Sequence, residues 1–182
     1  MPFRLRTVLI ALVALVAVGS LWNAFSGATP SSSPKKAAAP TVFVEAKCSA
    51  ETQGVTEVID FGDGTAPLIY CAGDFVGTGW DLLNDHVSVE GTRDYPTGFV
   101  CRINDVPSVE KQDCANTPTY EEGTWAYFVA DRDSEGWVLS GTGSSMRSPE
   151  CGTSEAWVFT AGKNIAQQKP SVEPVIFSCS TN

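Results

Sequence analysis

The chain has 182 residues, 43% of them hydrophobic and 10% aromatic, which excludes an intrinsically disordered protein. All 21 acidic residues lie beyond Pro40, whereas four of the 12 basic ones (Arg4, Arg6, Lys35 and Lys36) precede it. The stretch beyond Pro40 is the length of one ordinary domain with its own core, and it is too acidic to track a phosphate backbone, which excludes nucleic acid as a partner.

Arg4 and Arg6 precede an apolar run, Val8 to Trp22, and Ser26-Gly27-Ala28 offers a small-x-small cleavage site. Residues 1–28 therefore read as a signal peptide. Val8–Phe25 also nearly reaches the roughly 20 residues that a membrane-spanning helix needs, so an uncleaved N-terminal anchor is the alternative. Either way the basic flank stays inside and the domain goes outside, secreted or anchored at the cell envelope, with membrane contact only through this segment. Residues 29–40 are a Ser/Pro/Ala-rich linker without apolar periodicity, and residues 41–182 form the extracytoplasmic domain.

Within the domain, strand signals dominate. Thr41–Glu45 and Val55–Phe61 are rich in β-branched residues, and the second runs into Gly62-Asp63-Gly64. With Leu68–Cys71 it predicts a β-hairpin. Val76, Trp80 and Leu83 fall at helical spacing and predict one short helix with Asp74 as its N-cap, shortened by Gly77 and Gly79. Further strands are predicted at Val87–Val89, Phe99–Ile103, Trp125–Phe128, Gly136–Ser140, Ala156–Thr160 and Val175–Cys179. Hairpin, single helix and further strands give an α+β fold, a β-grasp-like mixed sheet with one short helix.

Six cysteines, Cys48, Cys71, Cys101, Cys114, Cys151 and Cys179, all fall in the exported part and imply a disulfide-stabilised domain. Sequence does not choose among the fifteen connectivities that six cysteines allow. Cys101 with Cys114 is the best local pair, because a turn-forming stretch separates them. The other four are read as Cys48 with Cys179, near the domain ends, and Cys71 with Cys151. No C-x-x-C pair occurs, so neither a zinc site nor a thioredoxin-like motif is expected, and no cofactor or metal is implied.

The single histidine, His86, falls on the polar side of a strand pattern and reads as solvated, which leaves no Ser-His-Asp or Cys-His constellation. Asp131-Arg132-Asp133-Ser134-Glu135-Gly136 opens like a calcium loop but lacks the acid at position 12, so it reads as a turn between strands. The acidic pairs Glu121-Glu122 and Asp60/Asp63 read as solvated charge. No catalytic residue is found, and the chain is read as a non-enzyme. The aromatic residues carry more. Trp125 and Tyr127 share one strand face, Trp137 lies past the Asp131–Gly136 turn, and Trp157 and Phe159 alternate on the last aromatic strand. They are core beneath the helix, or a platform for a flat ligand or partner, with Trp125, Tyr127, Trp137 and Trp157 as its residues and Trp137 the most exposed.

Several segments between Gly98 and Gly162 carry a resemblance. They are Phe99-Val100-Cys101-Arg102-Ile103 with Val106-Pro107, Cys114 with Thr117-Pro118, and Gly123-Thr124-Trp125-Ala126-Tyr127-Phe128. Trp137 with Gly141, and Glu155-Ala156-Trp157-Val158-Phe159, complete the set. This stretch resembles small exported actinobacterial proteins and is similar to the small C-terminal β-domain of transcobalamin and intrinsic factor. The resemblance implies a binding module of the cell envelope for a small flat ligand such as a corrinoid. The alternative is a structural or protein-interaction domain of the envelope with no small-molecule ligand. The two separate on exposure: a ligand face leaves part of Trp125, Tyr127 or Trp137 accessible in a concavity.

Overall fold

A computed structural model of the chain describes residues 40–162 and 164–180. The expected signal or anchor segment and all of the linker except Pro40 lie outside the described residues. No described helix is long and apolar enough to cross a membrane.

The elements run β1 (Val42–Val44), β2 (Val55–Asp60), β3 (Leu68–Gly73), α1 (Gly79–Asn84), β4 (Val89–Gly91), β5 (Val100–Ile103), β6 (Thr124–Ala130), β7 (Val138–Leu139) and β8 (Ser154–Thr160). Six of the strands form one sheet in the order β1-β3-β2-β8-β6-β7, and β4 pairs with β5 in a small second sheet. Only β2 and β8 run parallel; the other pairs are antiparallel. The chain is thus α+β, a mixed sheet with one α-helix among the described residues and three disulfides.

Strand alternation sorts the side chains onto two faces. Ile59, Trp125, Tyr127, Val129 and Trp157 lie on one face and pack against Trp80 and Leu83 of α1 and against Val100 and Ile103 of β5. Val58, Ala126, Phe128, Ala130, Ala156 and Val158 lie on the other, beneath Trp137, Val172 and Ile176. β2, β6 and β8 are buried along almost their whole length because both faces are covered.

The helix begins later than its periodicity predicts. Asp74 sits in the left-handed region at φ 52°, and Thr78 is the N-cap, closing a capping box with Asp81. Gly79 is required at the first position, since a Cβ there would collide with the Tyr127 hydroxyl. Thr78 and Asp81 supply the reciprocal bonds that Asp74 lacks.

The C-terminal strand and two of the disulfides also differ from expectation. Val175–Cys179 is not a strand. Both edges of β8 are already taken by β2 and β6, so the C-terminal segment can only cross the sheet face. It does so on scattered bonds, Phe177 N to Gly152 O at 3.0 Å and Val175 N to Ser154 Oγ at 3.0 Å. Gly152 takes φ 82° there, where a Cβ would strike the Phe177 carbonyl. The disulfides match this layout: Cys101 joins Cys114, but Cys48 joins Cys71 and Cys151 joins Cys179. The reading of Cys48 with Cys179 and Cys71 with Cys151 fails because β1 lies antiparallel to β3, which brings Cys48 beside Cys71, while the crossing segment delivers Cys179 to the start of β8. Three bonds of about 2–4 kcal/mol each are a large share of a domain's net stability, and they fit an oxidising, extracytoplasmic compartment.

Candidate functional site

All four expected ligand residues are buried. Trp125, Tyr127, Trp137 and Trp157 expose 5%, 8%, 4% and 4% of their surface. Trp137 belongs to the opposite face from the other three, packed under the C-terminal segment with its Nε1 donating to the Val172 carbonyl at 2.7 Å. It is not the exposed member of the set. β7 pairs Leu139 with Phe128 and Val138 with Val129, a register that sets Trp137 opposite Ala130, on the Phe128 face and not beside Tyr127. Trp157 stacks on Tyr127 at 4.7 Å between ring centroids, inside the core.

Trp125 and Tyr127 nevertheless border a groove of 530 Å³. Its walls are Phe99, Pro118, Tyr120, Leu139 and Ile165, and its floor is the run Thr124–Tyr127 of β6. Local bonds fix these walls. Thr119 and Glu122 close a reciprocal turn, the Thr119 N–H donating to Glu122 Oε2 at 2.8 Å, and the Tyr120 carbonyl accepts from Gly162 N at 2.7 Å. The Cys101–Cys114 bond and the buried Arg102 tie down the adjoining loop, Arg102 donating to the Pro107 carbonyl at 2.7 Å, to the Gln112 carbonyl and to Glu90. The Trp125 Nε1 donates to the Val106 carbonyl at 3.1 Å, which ties its ring to that loop. Tyr120, half exposed, is the ring most available to a ligand.

A second constellation, unforeseen from the sequence, lies under α1. Glu57 and Glu155 are direct neighbours on the parallel pair β2/β8, and both are fully buried. Glu155 is held from two sides: the Tyr127 hydroxyl donates to Oε2, and Arg147 Nε donates to Oε1 at 2.8 Å. Arg147 also grips Asp131 through both terminal nitrogens. Glu57 faces His86, whose Nε2 lies 3.1 Å from Oε2, although neither carboxylate oxygen takes a well-aligned hydrogen bond. Burial raises the Glu155 pKa to about 7, against the pull of Tyr127 and Arg147, and raises that of Glu57 against the pull of His86. Burial works against the Arg147 cation, but Asp131 and Glu155 outweigh it and raise its pKa.

His86 is therefore not a solvated strand residue. Its ring stacks on Phe43 at 4.2 Å, meets Tyr70 edge-on at 4.4 Å, and its Nδ1 lies 2.9 Å from the Leu82 carbonyl at the end of α1. One of the acids read as solvated also differs. Asp60 is buried and accepts from the backbone N–H groups of Gly62 and Ser171, tethering the crossing segment, whereas Asp63 is exposed and accepts from Thr65 in the following turn. Glu121 and Glu122 are exposed. The Asp131–Gly136 stretch is a turn, with Ser134 N donating to the Asp131 carbonyl at 2.9 Å. The buried carboxylates resemble an acid–base pair in composition alone. Both are fully buried, away from solvent. The signal for them was in the sequence: each glutamate alternates with core residues, Glu57 with Val55 and Ile59, Glu155 with Trp157 and Phe159.

No family model, curated protein or solved structure matches this chain.

Proposed function

We propose that the chain is an exported, non-catalytic binding domain of the cell envelope that takes its ligand in the groove beside β6. The observation that carries this reading is the groove itself, apolar-walled and framed by a disulfide-tied loop, a capped turn and the end of β7. A β-grasp-like relationship to the transcobalamin-type domain is part of the proposal. The order of the first hairpin, the helix and a last strand parallel to the first hairpin strand supports it. The burial of Trp125, Tyr127, Trp137 and Trp157 favours the protein-interaction version over stacking of a flat ligand such as a corrinoid, because those rings offer edges at most.

The test is fluorescence of the full chain, solubilised in mild detergent, titrated with an apolar dye and with a corrinoid. Tyr120→Ala removes a half-exposed wall and Thr117→Lys places a charge on the rim, and neither residue belongs to the core. Dye binding that weakens by roughly tenfold in both variants, with thermal unfolding unchanged, supports the groove as the site. Equal dye binding in all three proteins refutes it, and tight corrinoid binding restores the flat-ligand version.

A further inference from the structure

We propose that the open edge of β6 accepts an extended basic–apolar segment of a partner protein as an added strand; the proposal rests on the groove being the binding site.

The groove borders four consecutive residues, Thr124, Trp125, Ala126 and Tyr127. Their side chains alternate between the two sheet faces, as their separate core clusters show, so the only surface the four share is a backbone edge. β8 occupies the opposite edge across the whole of Thr124–Ala130, which places the groove along the other one. On that side β7 pairs only with Phe128 and Val129. One further bond, from Ser140 N to the Tyr127 carbonyl at 2.9 Å, ends the ladder. Because Tyr127 turns its carbonyl outward, antiparallel geometry turns the Trp125 N–H and C=O the same way. A sheet edge presenting backbone groups in register is a template for a strand, and strand addition is a recurrent way of binding extended peptides.

The surroundings define the strand. Phe99, Tyr120, Leu139 and Ile165 offer apolar contacts to alternate side chains, and Glu121 stands at the rim. Past Thr117 and Pro118, which border both spaces, the groove continues into a polar cavity of 340 Å³ carrying Glu110, Asp113 and Glu122 against a single cation, Lys111. Apolar walls that lead into an acidic end match an extended segment alternating apolar residues with lysine or arginine.

The probes are a blocked peptide alternating Val and Lys, the same peptide with N-methylated backbone, and one alternating Val and Glu. Each is added to the full chain in mild detergent while amide exchange is followed residue by residue. The expected result is binding of the Val–Lys peptide, exchange at Trp125 slowed by about tenfold or more, and binding at least about tenfold weaker for the other two peptides and for Glu121→Lys. Shifts at Tyr120 and Leu139 with unchanged Trp125 exchange, and equal binding of the N-methylated peptide, overturn strand addition while leaving the groove as a binding site. Failure of all three peptides in a chain that still binds the apolar dye at Tyr120 also overturns it and spares the broader reading. Failure of both peptides and dye overturns both.

Discussion

Lowering the pH from 8 to 5 should stabilise this protein, the reverse of ordinary acid denaturation. Glu155 is buried with a folded-state pKa of about 7, whereas an unfolded glutamate titrates near 4.3. Between those values the folded protein holds a proton that the unfolded chain has released. Stability therefore falls as pH rises through this window, and the contribution is fully present only below the unfolded value. About 2.7 pKa units at ~1.4 kcal/mol per unit gives roughly 4 kcal/mol as the full span for Glu155, most of it between pH 5 and pH 8. Glu57 is shifted in the same direction and adds to the slope. Glu51, Asp63, Glu110 and Glu122 are shifted downward by local hydrogen bonds, so their contribution is lost only as pH falls below about 4.5, outside the range tested. The assay is denaturant unfolding of the disulfide-intact chain at pH 5 and pH 8, for the native sequence and for Glu155→Gln. The native protein should gain on the order of 2–3 kcal/mol at pH 5, and the variant should keep only the part due to Glu57. Stability that is flat or rises from pH 5 to pH 8, or a variant with an unchanged slope, refutes the reasoning.

Other positions give sharper single-residue outcomes. Trp137→Ala should cost about 3–5 kcal/mol, and Trp137→Phe about 1–2 because it orphans the Val172 carbonyl, both read by chemical denaturation. Replacing Cys151 and Cys179 together by Ser should cost about 2–4 kcal/mol and open the crossing segment to limited proteolysis, while dye binding at the groove along the edge of β6 persists. Thr78→Ala should lose about 1 kcal/mol through the capping box, whereas Asp74→Gly, which suits the left-handed backbone at that position, should leave thermal unfolding nearly unchanged.

The hairpin, the existence of one helix and the aromatic strands were legible because their signals are local: β-branched runs, turn glycines and alternation. What escaped the sequence depends on which strands meet. Nothing in the spacing of Trp137 reveals that Leu139 pairs with Phe128, a register fixed only by tertiary packing that puts Trp137 on the face away from Tyr127. The Cys48–Cys71 and Cys151–Cys179 bonds depend on β1 lying beside β3 and on the last segment crossing a face. His86 reads as polar by alternation, yet the strand of that pattern starts only at Val89, and the end of α1 turns it onto Phe43. Glu57 and Glu155 each carry the local signal of an acid in a core alternation, but their pairing emerges only once β2 and β8 are known to be parallel neighbours. The groove depends on the early end of β7, a property no single segment displays.

The most direct measurement is residue-by-residue chemical-shift mapping of the isotope-labelled full chain titrated with the apolar dye. Shifts concentrated on Phe99, Tyr120 and Ile165, with Val172 and Ile176 beneath the crossing segment unmoved, are the predicted result. Shifts confined to the Val172–Ile176 face, or none above the noise at saturating dye, would contradict the groove as this domain's binding site.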